Sequence, residues 1–120
     1  MPMHLPGHRT RREIFEDDVT AAAHIAIQRF GHKLRYLQVT VEDAPPSDPA
    51  PWEDNVVPLG RYFPSDRLHP PRIVMYRRPI VTRCADPSEL SLLIRQVLSE
   101  QIGAMLSRPP EEIDPQAWDV

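Results

Sequence analysis

The stretch from Asp86 to Leu106, DPSELSLLIRQVLSEQIGAML, decides the fold. It begins with a helix start, in which Asp86 suits the N-cap, Pro87 suits the first helical position and Glu89 completes a D-x-x-E capping box. Apolar residues then recur at helical spacing and form one broad stripe: Leu90, Leu93, Ile94, Val97, Leu98, Ile102, Met105 and Leu106. We expect this stripe to form the centre of the core.

Three positions of the same helix lie outside the stripe. Ser99 and Gly103 are four residues apart and therefore share roughly the opposite side of the helix, with Glu100 on one flank. Since the stripe belongs to the core, any chemistry performed by this helix is expected at these three positions.

Length and composition predict one small domain. The chain has 120 residues, enough for one modest core, and its 15 prolines indicate stiff, irregular connections. The formal net charge of −3 gives no overall case for nucleic-acid binding. No apolar run approaches the roughly 18 residues of a membrane span, and the N-terminus lacks the apolar core of a secretory signal, so we expect a cytoplasmic protein.

The cysteine content excludes an intramolecular disulfide, and the sequence around Cys84 argues against a catalytic cysteine. Cys84 is the only cysteine, so no intramolecular disulfide can form. It has no Cys-His signature around it and is expected to be a small buried hydrophobic residue rather than a nucleophile. Ser99 has no G-x-S-x-G turn around it and lies in mid-helix, a poor position for an activated serine.

The chain divides into three parts by composition. Residues 1–12 form a basic tail that is expected to be flexible, 13–108 form the folded domain, and 109–120 form a proline-rich acidic segment. The segment 109–120 could pack across the domain or extend into solvent without contacting it. Arg9, Arg11 and Arg12 could contact nucleic acid, but the net negative charge of the chain argues against it.

The remaining elements follow from local patterns. Thr10 and Glu13 can form a capping box for a first helix over residues 11–30, with Gly31 as its end. Runs of β-formers predict three strands, at 35–42, 56–63 (an edge strand) and 72–78, the last continuing irregularly to Cys84. We expect an α+β domain in which two main helices pack on a small mixed β-sheet.

Two shorter segments complete the pattern. The proline-rich, acidic stretch 42–55 predicts a surface loop, with Trp52 folded back on the core. A short helical turn is expected over 111–113.

Several of these segments, taken together, resemble a known family. The pieces are Phe15–Val19, Val39–Pro46, Leu59–Tyr62, Pro71–Ile80, Cys84-Ala85-Asp86 and Val97-Leu98-x-Glu100. In this order and spacing they resemble the small bacterial zincin-like metallopeptidase family, over roughly residues 13–108. The resemblance implies a minimal zincin-like fold and zinc-dependent peptide hydrolysis through an H-E-x-x-H motif on the last long helix.

The motif of that family is degenerate in this chain. Two histidines at i and i+4 on one helix face would bind Zn²⁺, and the glutamate between them would act as general base. Here the motif falls on Ser99-Glu100-Gln101-Ile102-Gly103, so only Glu100 remains. The later glycine of the motif falls at Leu106 and its further ligand at Pro109, which cannot coordinate through its side chain.

The degenerate motif leads to two hypotheses. The first is a pseudoenzyme without metal or cofactor that binds a peptide or protein in a retained cleft, with Glu100 as a vestigial base. The residues expected to line this cleft are Ser99, Glu100, Gly103, Arg72, Tyr76 and Arg78. The alternative is an active zinc-dependent peptidase that uses Glu100 as general base at a non-standard metal site. Its ligands would have to come from the acidic residues and from histidines that are dispersed in sequence: His24, His32 and His69.

Overall fold

The structure, a computed structural model, describes residues 9–46 and 57–119. In the described part, helices and strands follow one another as α1 (Arg11–Leu34), β1 (Gln38–Glu42), β2 (Gly60–Phe63), β3 (Arg72–Tyr76), α2 (Arg77–Arg83), α3 (Leu90–Leu106), α4 (Pro110–Ile113) and α5 (Pro115–Trp118). A 3₁₀ turn over Pro87–Glu89 leads into α3.

The three strands form a mixed sheet in the order β1-β3-β2. β1 runs parallel to β3, with Val39 opposite Ile73, and β2 runs antiparallel to it, with Gly60 opposite Met75. β3 lies in the centre, and its residues 73–76 are all buried. A run of apolar residues without alternation is typical of a strand covered on both faces.

The core forms around α3, as its apolar stripe predicts. All eight stripe residues belong to the core cluster or pack against it. α1 packs along α3 and contributes Phe15, Val19, Ala22 and Ala26, and the sheet contributes Ile73 and Met75. The predicted α+β class, with two main helices and a small mixed sheet, is confirmed.

The first helix is longer than predicted. Its capping box is confirmed: the Glu13 N–H donates to Thr10 Oγ1 (3.1 Å), and the Thr10 N–H donates to Glu13 Oε1 (3.2 Å). Gly31 as its end is wrong, because α1 kinks at Phe30 (φ −132°, ψ 23°) and continues to Leu34. Leu34 is buried in the core, and burying this side chain favours the additional turn.

The segment after β3 is helical and not an irregular continuation of the strand, so that prediction is wrong. β3 ends at Tyr76, and residues 77–83 form α2. Pro79 lies in the first turn of α2, where its missing N–H costs no helical hydrogen bond, whereas in a strand it would interrupt the ladder.

The start of α3 differs from the prediction in detail. Asp86 is the N-cap, but its carboxylate accepts from the Ser88 N–H (3.0 Å). The Glu89 N–H donates to the Asp86 carbonyl (2.9 Å) in the 3₁₀ turn, which takes the place of the predicted capping box.

The first two strands are shorter than predicted. β1 begins at Gln38 rather than at residue 35, and β2 is an edge strand, as predicted, that begins at Gly60. The prediction for Trp52 lies outside the described residues. None of the helices in the described ranges is both long and apolar enough to cross a membrane.

Candidate functional site

Ser99 lies beneath the C-terminal segment of the described chain. It is only 2% exposed, although sequence spacing places it across the helix from the core stripe. Its Oγ accepts a hydrogen bond from the Trp118 indole N–H (2.9 Å) and donates one to the Gln96 carbonyl (2.8 Å). The Ser99 hydroxyl is therefore hydrogen-bonded within the protein both as a donor and as an acceptor.

Gly103 is covered even more closely. A Cβ atom built on Gly103 would lie 2.5 Å from the Arg108 carbonyl oxygen, a distance that real side chains do not tolerate. The chain reverses at Ser107, which has φ 56°, and the Arg108 N–H donates back to the Gly103 carbonyl (2.9 Å). Consequently no side chain fits at position 103 unless the backbone of this turn shifts.

Polar contacts hold the rest of the segment in place. Arg95 on α3 donates from Nε and Nη2 to both carboxylate oxygens of Asp114 (2.8 and 2.7 Å), and this hydrogen bonding lowers the pKa of the Asp114 carboxyl. Gln96 Nε2 donates to the Ala117 carbonyl (2.9 Å). Ile113 is fully buried in the core. The segment thus folds across the domain, which the sequence had left undecided.

Glu100 remains at the surface. It is exposed, and partial desolvation raises the pKa of its carboxyl. A raised pKa suits a general base, but partial desolvation raises the pKa of any carboxylate on a partly covered helix face in the same way.

The other residues expected in the cleft are spread over different environments. Tyr76 is 1% exposed, so it does not line an open surface in this structure, and neither do Ser99 and Gly103. Arg72 lies over the Phe63 ring (4.8 Å to its centroid), and Arg78 is exposed. The structure does not gather the six residues into one open cleft.

The residues present do not fit a zinc ion at the position where the sequence resemblance places the motif. The Ser99 hydroxyl is hydrogen-bonded within the protein, Gly103 supplies no donor atom, and the space beside it is filled by the Arg108 backbone. Elsewhere in residues 9–46 and 57–119, no group of three His, Cys, Asp or Glu side chains could hold a metal ion. His69 instead contacts Asp66 (Nδ1 to Oδ1, 3.1 Å) in the turn before β3.

The outer edge of β2 is a further candidate binding surface. The sequence predicted only that this strand lies at an edge of the sheet. The Tyr76 N–H donates to the Leu59 carbonyl (3.0 Å), and hydrogen-bonded pairs alternate along an antiparallel ladder. The backbone N–H and C=O groups of Gly60 and Tyr62 therefore point away from β3. A Cβ on Gly60 would lie 3.2 Å from Val97 Cγ1 and 3.5 Å from Gln101 Cγ, so α3 packs against one face of β2 at these two residues.

Comparison with known proteins gives one family. A family model described as zincin-like metallopeptidase matches residues 34–118. The match extends from the end of α1 to Trp118 and so includes the segment that covers Ser99 and Gly103. No curated protein sequence matches the chain.

Proposed function

The chain belongs to the zincin-like metallopeptidase family, and from this we propose that it is a non-catalytic member that binds an extended peptide. The observation that carries the proposal is the contact between α3 and the C-terminal segment. At the two positions where the family motif has histidines, Ser99 is bonded to Trp118, and Gly103 is closed off by the Arg108 carbonyl.

The loss of catalysis follows from coordination chemistry. A catalytic zinc site has three protein ligands and one open position for water. Ser99 and Gly103 provide no ligand, and Pro109 has no side-chain donor at the third position. Without these ligands, Glu100 has no activated water to deprotonate.

The peptide-binding part of the proposal depends on β2. An edge strand with outward N–H and C=O groups is a template for adding a strand. Gly60 and Tyr62 present such groups, and within the described chain β3 is the only strand that pairs with β2. Because Val97 and Gln101 of α3 pack against Gly60, an added peptide strand would pair with β2 next to the part of the sheet that α3 covers.

Metal binding tests the first part of the proposal. We expect purified, untagged protein to carry no stoichiometric zinc after dialysis, and its thermal unfolding to be unchanged by zinc or by a chelator. Zinc retained near one equivalent, with an unfolding temperature lowered by chelator, would overturn the non-catalytic assignment.

Peptide binding can be located by NMR with an internal control. Titration with a library of extended peptides should shift the amide signals of Gly60 and Tyr62 and slow their exchange with solvent. The amides of Arg61 and Phe63, which face β3, serve as controls and should change little. Binding that leaves Gly60 and Tyr62 unaffected would rule out strand addition at this edge.

A peptidase with a non-standard metal site is the alternative, and the raised pKa of Glu100 is the observation in its favour. It requires chelator-sensitive cleavage of an unfolded protein that is lost in Glu100→Gln. We expect no such cleavage by either protein.

A further inference from the structure

An apolar hollow of about 420 Å³ lies between α1, α2 and the start of α3. Its walls include Ile14 from α1, Val81 from α2, Leu90 from α3 and Cys84 from the connection. It shares no lining residue with the β2 edge or the C-terminal segment, so its role is independent of the proposed function. The volume falls at the lower end of the range of about 300–1,000 Å³ that is typical of small-molecule sites.

The walls of the hollow present apolar surface to solvent. Ile14 is 47% exposed and Val81 is 44% exposed, although both are large aliphatic residues. Scattered exposed aliphatic residues are normal in proteins, but here they face one concave surface. Burial, and secondarily the charge of Glu89, raises the pKa of the Cys84 thiol, which therefore contributes a neutral, weakly polar wall.

Two arginines give the hollow a positive charge. Arg11 and Arg77 line it, and no acidic side chain of the described residues does. Arg77 uses Nε to bond Asp43 Oδ1 (3.0 Å), whereas Arg11 has no ion-pair partner within residues 9–46 and 57–119. Its neighbours differ, because Arg9 pairs with Asp17 and Arg12 pairs with Glu16.

We propose that this hollow binds a medium-chain aliphatic carboxylate, with the carboxylate on Arg11 and Arg77 and the alkyl chain against Ile14, Val81 and Leu90. A guanidinium group binds carboxylates through charge-assisted, often paired hydrogen bonds. The apolar walls remove the alkyl chain from water, at about 25 cal/mol per Å² buried. Neither a simple anion nor an uncharged alkane uses both features.

Cys84 provides a readout inside the hollow itself. It is the only cysteine and is partly exposed, so its alkylation by iodoacetamide reports on access to the site. We expect decanoate to slow this reaction in a saturable manner. Acetate, which lacks the alkyl chain, should give no protection, and decan-1-ol, which lacks the charge, should need a concentration about tenfold higher.

Paired variants test each half of the site. Arg11→Gln should raise the dissociation constant for decanoate about tenfold, while Arg83→Gln, on α2 but outside the hollow, should leave it unchanged. Val81→Asp places a carboxylate in the hollow and should abolish protection, whereas Thr82→Asp on the same helix should retain it. Circular dichroism establishes that each variant is folded.

Several outcomes would overturn the proposal. They are equal protection by decan-1-ol and decanoate, unchanged affinity in Arg11→Gln, and protection that persists in Val81→Asp. Faster alkylation in decanoate would also overturn it, because it would show unfolding by a detergent and not occupation of the hollow.

Discussion

The indole N–H of Trp118 donates to Ser99 Oγ at 2.9 Å, which joins the last described helix to the residue that the sequence resemblance places at the first histidine of the family motif. The two residues are 19 positions apart, and between them the chain reverses at Ser107 and buries Ile113. A serine at this position thus serves the folded structure, as an acceptor for the segment that covers it.

Replacing Trp118 by phenylalanine should weaken this connection. The phenylalanine side chain would keep an aromatic ring but lose the N–H donor, and one hydrogen bond contributes about 1 kcal/mol to the free energy of unfolding. Urea denaturation of Trp118→Phe, Ser99→Ala and the double variant measures the coupling between the two residues, which we expect at about 0.5–1.5 kcal/mol. Strictly additive effects would show that the hydrogen bond contributes nothing.

Two glycines in helices should respond to alanine in opposite directions. At Gly103 the new methyl group would lie 2.5 Å from the Arg108 carbonyl oxygen, so Gly103→Ala should destabilise the protein by about 1–3 kcal/mol. At Gly31 the nearest atom is Ile27 Cγ2 at 3.6 Å, an ordinary contact, and Gly31→Ala should stabilise α1 by about 0.5–1 kcal/mol. Thermal unfolding measures both. A stabilising Gly103→Ala would show that the C-terminal turn moves freely.

The sequence predicted those parts of the fold that depend on local patterns. The apolar stripe of α3 identified the centre of the core, and Thr10 with Glu13 identified the start of α1. The predicted end of α1 at Gly31 was wrong, because burial of Leu34 one turn later outweighs the preference of glycine for a helix end. The irregular continuation predicted after the third strand was wrong because proline, here Pro79, is tolerated both in an irregular extended segment and in the first turn of a helix.

The covered site could not be predicted from local patterns. Helical spacing gave Ser99 and Gly103 a common side, but it could not show that Trp118 and Arg108 return to that side. Contacts between residues distant in sequence produce no periodic pattern from which they could be predicted. Ile113 and Trp118, in an otherwise proline-rich and acidic segment, were the available signals that the segment has apolar side chains to bury.

The ion pair between Arg95 and Asp114 should make stability depend on acid. Because Arg95 lowers the folded-state pKa of Asp114, its contribution is present above the unfolded pKa, about 3.9, and is lost as pH falls through the folded value. Asp114→Asn should cost about 1–3 kcal/mol at pH 7. The difference from the unmodified protein should shrink below about pH 4.

The control for this prediction is Asp17→Asn. Asp17 pairs with Arg9 at the surface, where exposed ion pairs contribute about 0–1 kcal/mol. Urea denaturation between pH 7 and low pH should therefore separate the two variants. Equal losses at Asp17 and Asp114 would contradict a specific role for the partly buried pair.

Glu100→Gln tests the proposed role of Glu100 as a vestigial base, through stability as well as through activity. Desolvation raises the folded-state pKa of Glu100, so ionising this carboxyl disfavours the folded state. The cost is absent below the unfolded pKa of about 4.3 and develops as pH rises through the folded value. Glu100→Gln should therefore stabilise the protein at pH 7 and have no effect near pH 3. Denaturation at both pH values, with Glu89→Gln as the control, measures this difference. A destabilising Glu100→Gln at neutral pH would mean that the carboxylate has a partner that favours its charged form, which is the behaviour expected of a working site.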